Sequence, residues 1–143
     1  MHTLLRRSGV AFAGATLIAG LLASGTIFAA DIKVKLSGDQ EVPPVQTTAS
    51  GSGTITVNDD KSVSGSVTVK GVKATAAHIH EAAPGSNGPV AIPLEKKSEN
   101  EFVVPAGAKL SDAQYKAFKA GNLYVNVHSD AHKGGEVRGQ LKQ

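Results

Sequence analysis

Apolar and polar residues alternate along most of the chain beyond residue 31. Ile32, Val34 and Leu36 are separated by Lys33 and Lys35, the pattern of a half-buried strand with one wet face. Residues 51–57 and 63–69 repeat it: Ile55 and Val57, then Val63, Val67 and Val69, fall at even spacings, and Asn58-Asp59-Asp60-Lys61 between them supplies a turn. This predicts a hairpin with Ser64, Ser66, Thr68 and Lys70 facing water. The run 72–79 has strand composition, as do the shorter pieces 90–94 and 102–104, while the charged stretch 95–101 between those pieces reads as a turn. In 123–128, Leu123, Val125 and Val127 point one way and Tyr124, Asn126 and His128 the other; in 136–141, Val137 and Leu141 point to the core and Glu136, Arg138 and Gln140 away from it.

Two segments break the period of two. Gln40-Glu41-Val42-Pro43-Pro44-Val45 contains paired prolines, which lack amide donors, so it is expected as an edge or connector. Residues 112–119 carry helix signals. Ser111 as N-cap with Gln114 three residues on makes a capping box, Leu110 can staple against Tyr115, Asp112 suits the positive end, Lys116 and Lys119 suit the other, and Gly121 is placed to end the helix. Seven or eight short strands at intervals of about ten residues, with one short helix, predict an all-β fold: an antiparallel Greek-key sandwich of the immunoglobulin-like kind.

The first 30 residues stand apart. Arg6 and Arg7, an apolar small-residue run over 10–22 and then Ser24-Gly25-Thr26-Ile27-Phe28-Ala29-Ala30 read as a signal peptide cut after Ala29 or Ala30. Gly14, Thr16 and Gly20 dilute the run, so removal is expected rather than a membrane anchor, and Leu5 before the arginine pair with Ser8-Gly9-Val10 after it favours general secretion over the twin-arginine route. The remaining chain, from residue 31 to residue 143, has the length of one domain with one core. It keeps all 12 acidic residues, whereas the 15 basic residues include Arg6 and Arg7, so the net charge falls from +3 to +1 and nucleic acid is excluded as a partner. Without cysteine, an exported domain has no disulfide and no thiolate metal site, so any transition-metal ion must be held by imidazole and oxygen.

Four histidines follow the leader. His78 and His80 share one face of a strand about 7 Å apart, His128 ends a later strand, and His132 lies in the turn after it. Three imidazoles with an open position suit copper or zinc, so His78, His80 and His128 are the candidate metal ligands and His132 a candidate fourth. Glu81, Glu136 and Arg138 admit an acid/base reading, but a cross-strand ion pair for Arg138 is the expected role. His128, Ser129 and Asp130 are adjacent, whereas hydrolase triads are assembled from separated segments, so no triad is assigned. Gly85, Gly88, Gly134 and Gly135 read as turn glycines, since no strand, glycine-rich loop and helix succession surrounds them.

Three separated motifs carry a resemblance. Leu36-Ser37-Gly38-Asp39-Gln40-Glu41-Val42-Pro43-Pro44 opens the mature chain; Ala77-His78-Ile79-His80 with Asn87-Gly88-Pro89 lies in its middle; Tyr124-Val125-Asn126-Val127-His128 with Gly135-Glu136-Val137-Arg138-Gly139-Gln140-Leu141 closes it. In this order they resemble the CHRD domain family, named for extracellular chordin and found also in exported bacterial proteins. The resemblance implies a secreted or periplasmic address and an immunoglobulin-like sandwich, but no single activity. The chain is also similar, more weakly, to copper-zinc superoxide dismutase, a Greek-key sandwich with a His-x-His strand. That likeness implies copper ligation by His78, His80 and His128 and makes Arg138 similar to the arginine that attracts the superoxide anion. The loop after His80 has no histidine or aspartate and the chain has no disulfide cysteines, so the likeness extends to a copper-only site at most. Three functions follow as alternatives: an exported metal-binding module, a structural or protein-interaction domain, and an oxidoreductase of the dismutase kind.

Overall fold

A computed structural model describes residues 28–143. The expected signal peptide falls outside the described residues except at its end, where Ala29 and Ala30 open the first strand. Nine strands and one α-helix follow in the order β1 (Ala29–Ser37), β2 (Ser50–Asn58), β3 (Val63–Lys70), β4 (Ala74–Glu81), β5 (Val90–Pro93), β6 (Glu95–Lys96), β7 (Glu101–Val103), α1 (Asp112–Lys119), β8 (Leu123–Ser129) and β9 (Val137–Leu141). A single 3-10 turn, Gly38–Gln40, follows β1. Ala29 and Ala30 pair with Asn58 and Val57, and the β1–β2 ladder continues from Asp31 to Ser37 without them.

The strands form one antiparallel sheet in the order β5-β4-β8-β9-β1-β2-β3-β7-β6. β5 and β6 stand at opposite ends of that order, yet only Leu94 separates them in sequence, so the sheet must curl until its ends meet. The seam is tied by the Leu94 amide donating to the Ala77 carbonyl (3.0 Å) and the Lys96 Nζ donating to the Ala74 carbonyl (2.6 Å). The result is the all-β, sandwich-like architecture that the alternation predicts. Its interior is filled by the inward residues of every wall, among them Val34, Ile55, Val67, Ile79, Phe102, Val125, Val127 and Leu141.

The helix has the expected bounds, and both halves of its capping box form: the Ser111 side chain accepts from the Gln114 amide and the Gln114 side chain accepts from the Ser111 amide. Phe118 is its buried contribution to the core. One expectation is corrected. The charged stretch 95–101 is not all turn, because Glu95 and Lys96 pair with Val103 and Phe102, leaving only residues 97–100 to reverse the chain. Alternation cannot reveal a two-residue strand, whose partner alone defines it. No helix among the described residues is long and apolar enough to cross a membrane.

The two broad walls are not alike. On β1, β2 and β3 the outward residues Lys33, Lys35, Thr54, Thr68 and Lys70 are exposed, as the hairpin pattern predicts. On β8 and β9 the outward residues Tyr124, Asn126 and Arg138 are buried. Segments 38–49 and 82–89 lie over them as a second layer, and this layer forms the surroundings of the histidines.

Candidate metal centre

Register places the histidines. In the β4–β8 ladder, His80 stands opposite Tyr124 and His78 opposite Asn126, while His128 faces Ala76. Asn126 in turn faces Arg138 across β8 and β9. Neighbours two apart share a face, so His78, His80, Tyr124, Asn126, His128 and Arg138 all project outward from the wall. The small Ala76 opposite His128 leaves room beside it, and the rings of His78 and His128 close to 4.8 Å between centroids. His78 and His80 lie 5.5 Å apart and His80 and His128 6.1 Å.

One ring nitrogen from each of His78, His80 and His128 lies within 4.8 Å of the other two. Three nitrogens bound at about 2.0–2.1 Å to a common ion stand roughly 3.3–4.1 Å apart, so small side-chain rotations suffice to close the set. No carboxylate joins this cluster among the described residues. His132 is not part of it. That residue sits in the turn, where its carbonyl accepts from the Ser129 and Gly135 amides, and its charge acts on Glu136.

Hydrogen bonds fix the tautomers. His80 Nδ1 lies 2.9 Å from the Gly88 carbonyl, which can only accept, so Nδ1 carries the proton and Nε2 the lone pair. His128 Nδ1 lies 2.9 Å from the Lys133 carbonyl, with the same consequence. His78 Nδ1 then donates to His128 Nε2 at 2.9 Å, and transfer of its proton to the other ring nitrogen would free a third lone pair. His80 Nε2 is buried without a hydrogen-bond partner, the one such side-chain atom among the described residues. A buried acceptor left unpaired costs about 1–3 kcal/mol, and a bound ion or water would satisfy this one. Carbonyls that hold the far nitrogen of a ligand ring are a common support of metal-binding imidazoles.

Two of the rings, His78 and His80, are also biased toward the neutral form. Burial pushes the His78 pKa below the ordinary imidazole value, helped by the charges of His128 and His80. For His80 burial again leads, the Gly88 carbonyl opposes it, and His128 and Arg138 add to the lowering. Neutral imidazole is the form that binds a metal ion.

Gly88 is more than a turn residue. Its carbonyl holds His80, its amide donates to the Tyr124 hydroxyl (3.2 Å), and a Cβ there would sit 1.8 Å from the Glu81 carbonyl oxygen. Only glycine allows this backbone to approach so closely.

Arg138 is the largest departure from expectation. It forms no cross-strand ion pair; the ion pairs among the described residues are Lys61–Asp112 and Lys97–Glu101. Only 1 % exposed, its guanidinium donates to the carbonyls of Ser86 (2.8 Å) and Ala83 (3.2 Å) and to the side-chain oxygens of Asn87 and Gln140. It thereby pins loop 82–89 over the wall. Its carbon centre stands 3.5 Å from the Tyr124 ring centroid, and Tyr124 stacks in parallel on His80 at 5.0 Å and 6°. So sheltered, this cation cannot present itself to an anion arriving from solvent.

Two buried carboxylates complete the outer layer. Glu41 accepts from the Asn126 side-chain Nδ2, yet burial pushes its pKa up to about 7 against the lowering by Asn126 and Arg138. Glu136 accepts from Ser129 Oγ and from Thr47 Oγ1 (2.6 Å); burial, which would raise its pKa, is outweighed by those hydroxyls and by the charge of His132. Ser129 is thus a structural donor, in keeping with the exclusion of a triad.

Sequence reading missed Tyr124, Gly88 and Glu41 as parts of this assembly. Tyr124 was within reach, since alternation puts it on the face of Asn126 and His128; the loop contacts of Gly88 and Glu41 had no local signal. No curated protein and no solved structure matches the chain significantly. The sequence model of the CHRD domain family, by contrast, matches residues 32–141, nearly the whole of the described domain and all three of its outward histidines. On that match the chain belongs to the CHRD domain family.

Proposed function

We propose that this protein is an exported binding module that holds one copper or zinc ion on His78, His80 and His128. The observation that carries the reading is the buried, unpartnered Nε2 of His80 beside two further imidazoles, with Gly88 and Lys133 carbonyls on the far nitrogens of His80 and His128. Three nitrogen donors without carboxylate or thiolate match copper or zinc and do not match magnesium or calcium, which take oxygen ligands. The three ligands leave a coordination position for water or another small molecule.

Export rests on the composition of residues 1–30, with their arginine pair, apolar run and small residues before Asp31. The mature N-terminus, read by mass spectrometry of the exported protein, should be Ala30 or Asp31; intact Met1 in a membrane fraction would oppose this. For the metal, elemental analysis of protein purified from its native compartment should find about one copper or zinc per chain. A His78→Ala, His80→Ala double variant purified in the same way should carry none. Metal-free wild-type protein that takes up neither ion would overturn the proposal.

A further inference from the structure

We infer that the ion this site is built to hold is cuprous copper, and that Arg138 is the positioning residue that sets the preference. The inference rests on the metal-site reading above and adds the charge state of the ion.

Two observations carry it. First, the donor set is three neutral imidazoles with no carboxylate in the cluster, so no anionic ligand offsets the second positive charge of a cupric ion. Cupric copper also favours tetragonal arrangements of four or more nitrogen and oxygen ligands, whereas three nitrogens from two adjoining strands form a smaller set. Second, a permanent cation is built in behind the site. Arg138 is sealed from solvent, makes no ion pair, and stands over the Tyr124 ring, which stacks in parallel on His80. One aromatic ring therefore separates a buried positive charge from a metal ligand. Glu41, whose charge reaches Arg138, bonds to Asn126 rather than to the guanidinium, so it offsets that cation only in part. In a partly buried environment such a charge is poorly screened, and it opposes each added unit of charge on the ion. A monovalent ion meets half the repulsion that a divalent ion meets.

The experiment is a pair of anaerobic competition titrations on the mature protein. Cuprous affinity is read against bicinchoninate and cupric affinity against nitrilotriacetate. Wild-type protein should bind the cuprous ion at least tenfold more tightly than the cupric ion. Arg138→Met keeps the bulk of the stack and removes the charge; it should reduce the cuprous-to-cupric affinity ratio by about tenfold, equivalent to a fall of about 59 mV in the one-electron reduction potential. Arg138→Lys should restore most of the ratio. A role in folding alone would weaken both affinities together and leave the ratio unchanged.

A wild-type ratio below one overturns the inference, and so does an equal ratio in wild type and in a folded Arg138→Met variant. Where Arg138→Met does not fold, the wild-type ratio decides. Zinc or cupric binding lost in the double histidine variant, together with either overturning result, would leave the metal site standing and remove only the cuprous preference. Binding of neither copper ion would remove both.

Discussion

The wall formed by β1, β2 and β3 and the wall formed by β4, β8 and β9 use the same alternation to opposite ends. Both send one face into the common core. The outer face of the first carries Lys33, Lys35, Thr54, Thr68 and Lys70 in water. On the second, Tyr124, Asn126 and Arg138 are buried beneath segments 38–49 and 82–89. A polar face under cover needs a partner for every donor and acceptor, and the second wall supplies them through loop carbonyls, the Asn126–Glu41 bond and the hydroxyls on Glu136. The one buried side-chain acceptor left over among the described residues is His80 Nε2. That unpaired atom is the observation on which the proposed metal site rests.

The contrast can be broken first through stability. Leu141→Ala, in the shared core at the end of β9, should cost about 2–5 kcal/mol in denaturant unfolding. Thr68→Ala on the open face of β3 should stay within about 0.5 kcal/mol. Similar costs at the two positions would mean that the outer face of the first wall is not open.

Glu41 gives the covered face a pH signature. Its pKa is raised in the folded protein to about 7, so below the unfolded value it exerts no penalty. As pH rises from about 4.5 the unfolded chain ionises while the folded chain holds the proton, and stability falls until about pH 7, by on the order of 3 kcal/mol. Glu41→Gln should flatten that decline. Unfolding curves of wild type and variant that stay parallel from pH 5 to 8 would contradict this.

A smaller effect separates scaffold from site. Gly88→Ala would drive a Cβ into the Glu81 carbonyl and displace the carbonyl that orients His80. Metal affinity should fall about 10–100-fold. Gly85→Ala, at a turn with open space around its Cα, should leave affinity unchanged, with any loss confined to stability through its positive φ. Equal losses of affinity in both would show that the loop acts only as a whole.

Much of this architecture was legible in the residues because it is local. Even spacing of Ile55, Val57, Val63, Val67 and Val69 defines a hairpin wherever it is placed, and Ser111 with Gln114 defines a helix start. The meeting of His78, His80 and His128 was foreseeable in outline, since a shared strand face and a strand end restrict where rings can go. The fate of Arg138 was not. Alternation says that it leaves the core, and only the return of residues 82–89 over the wall decides whether it meets water, a carboxylate or carbonyls. The same holds for Glu41, whose partner Asn126 lies 85 residues away. Local pattern reports which face a side chain is on; what covers that face is a property of the whole chain.

The most direct measurement is calorimetric titration of metal-free mature protein with copper and with zinc at pH 7, beside the single variants His80→Ala and His132→Ala. One ion per chain should bind to wild type, His80→Ala should lose at least a hundredfold in affinity, and His132→Ala should lose less than about threefold, because only the former removes a buried lone pair of the cluster. Repeated at pH 5, wild-type affinity should drop as the imidazoles take up protons. Equal affinities for wild type and His80→Ala would contradict the account at its centre.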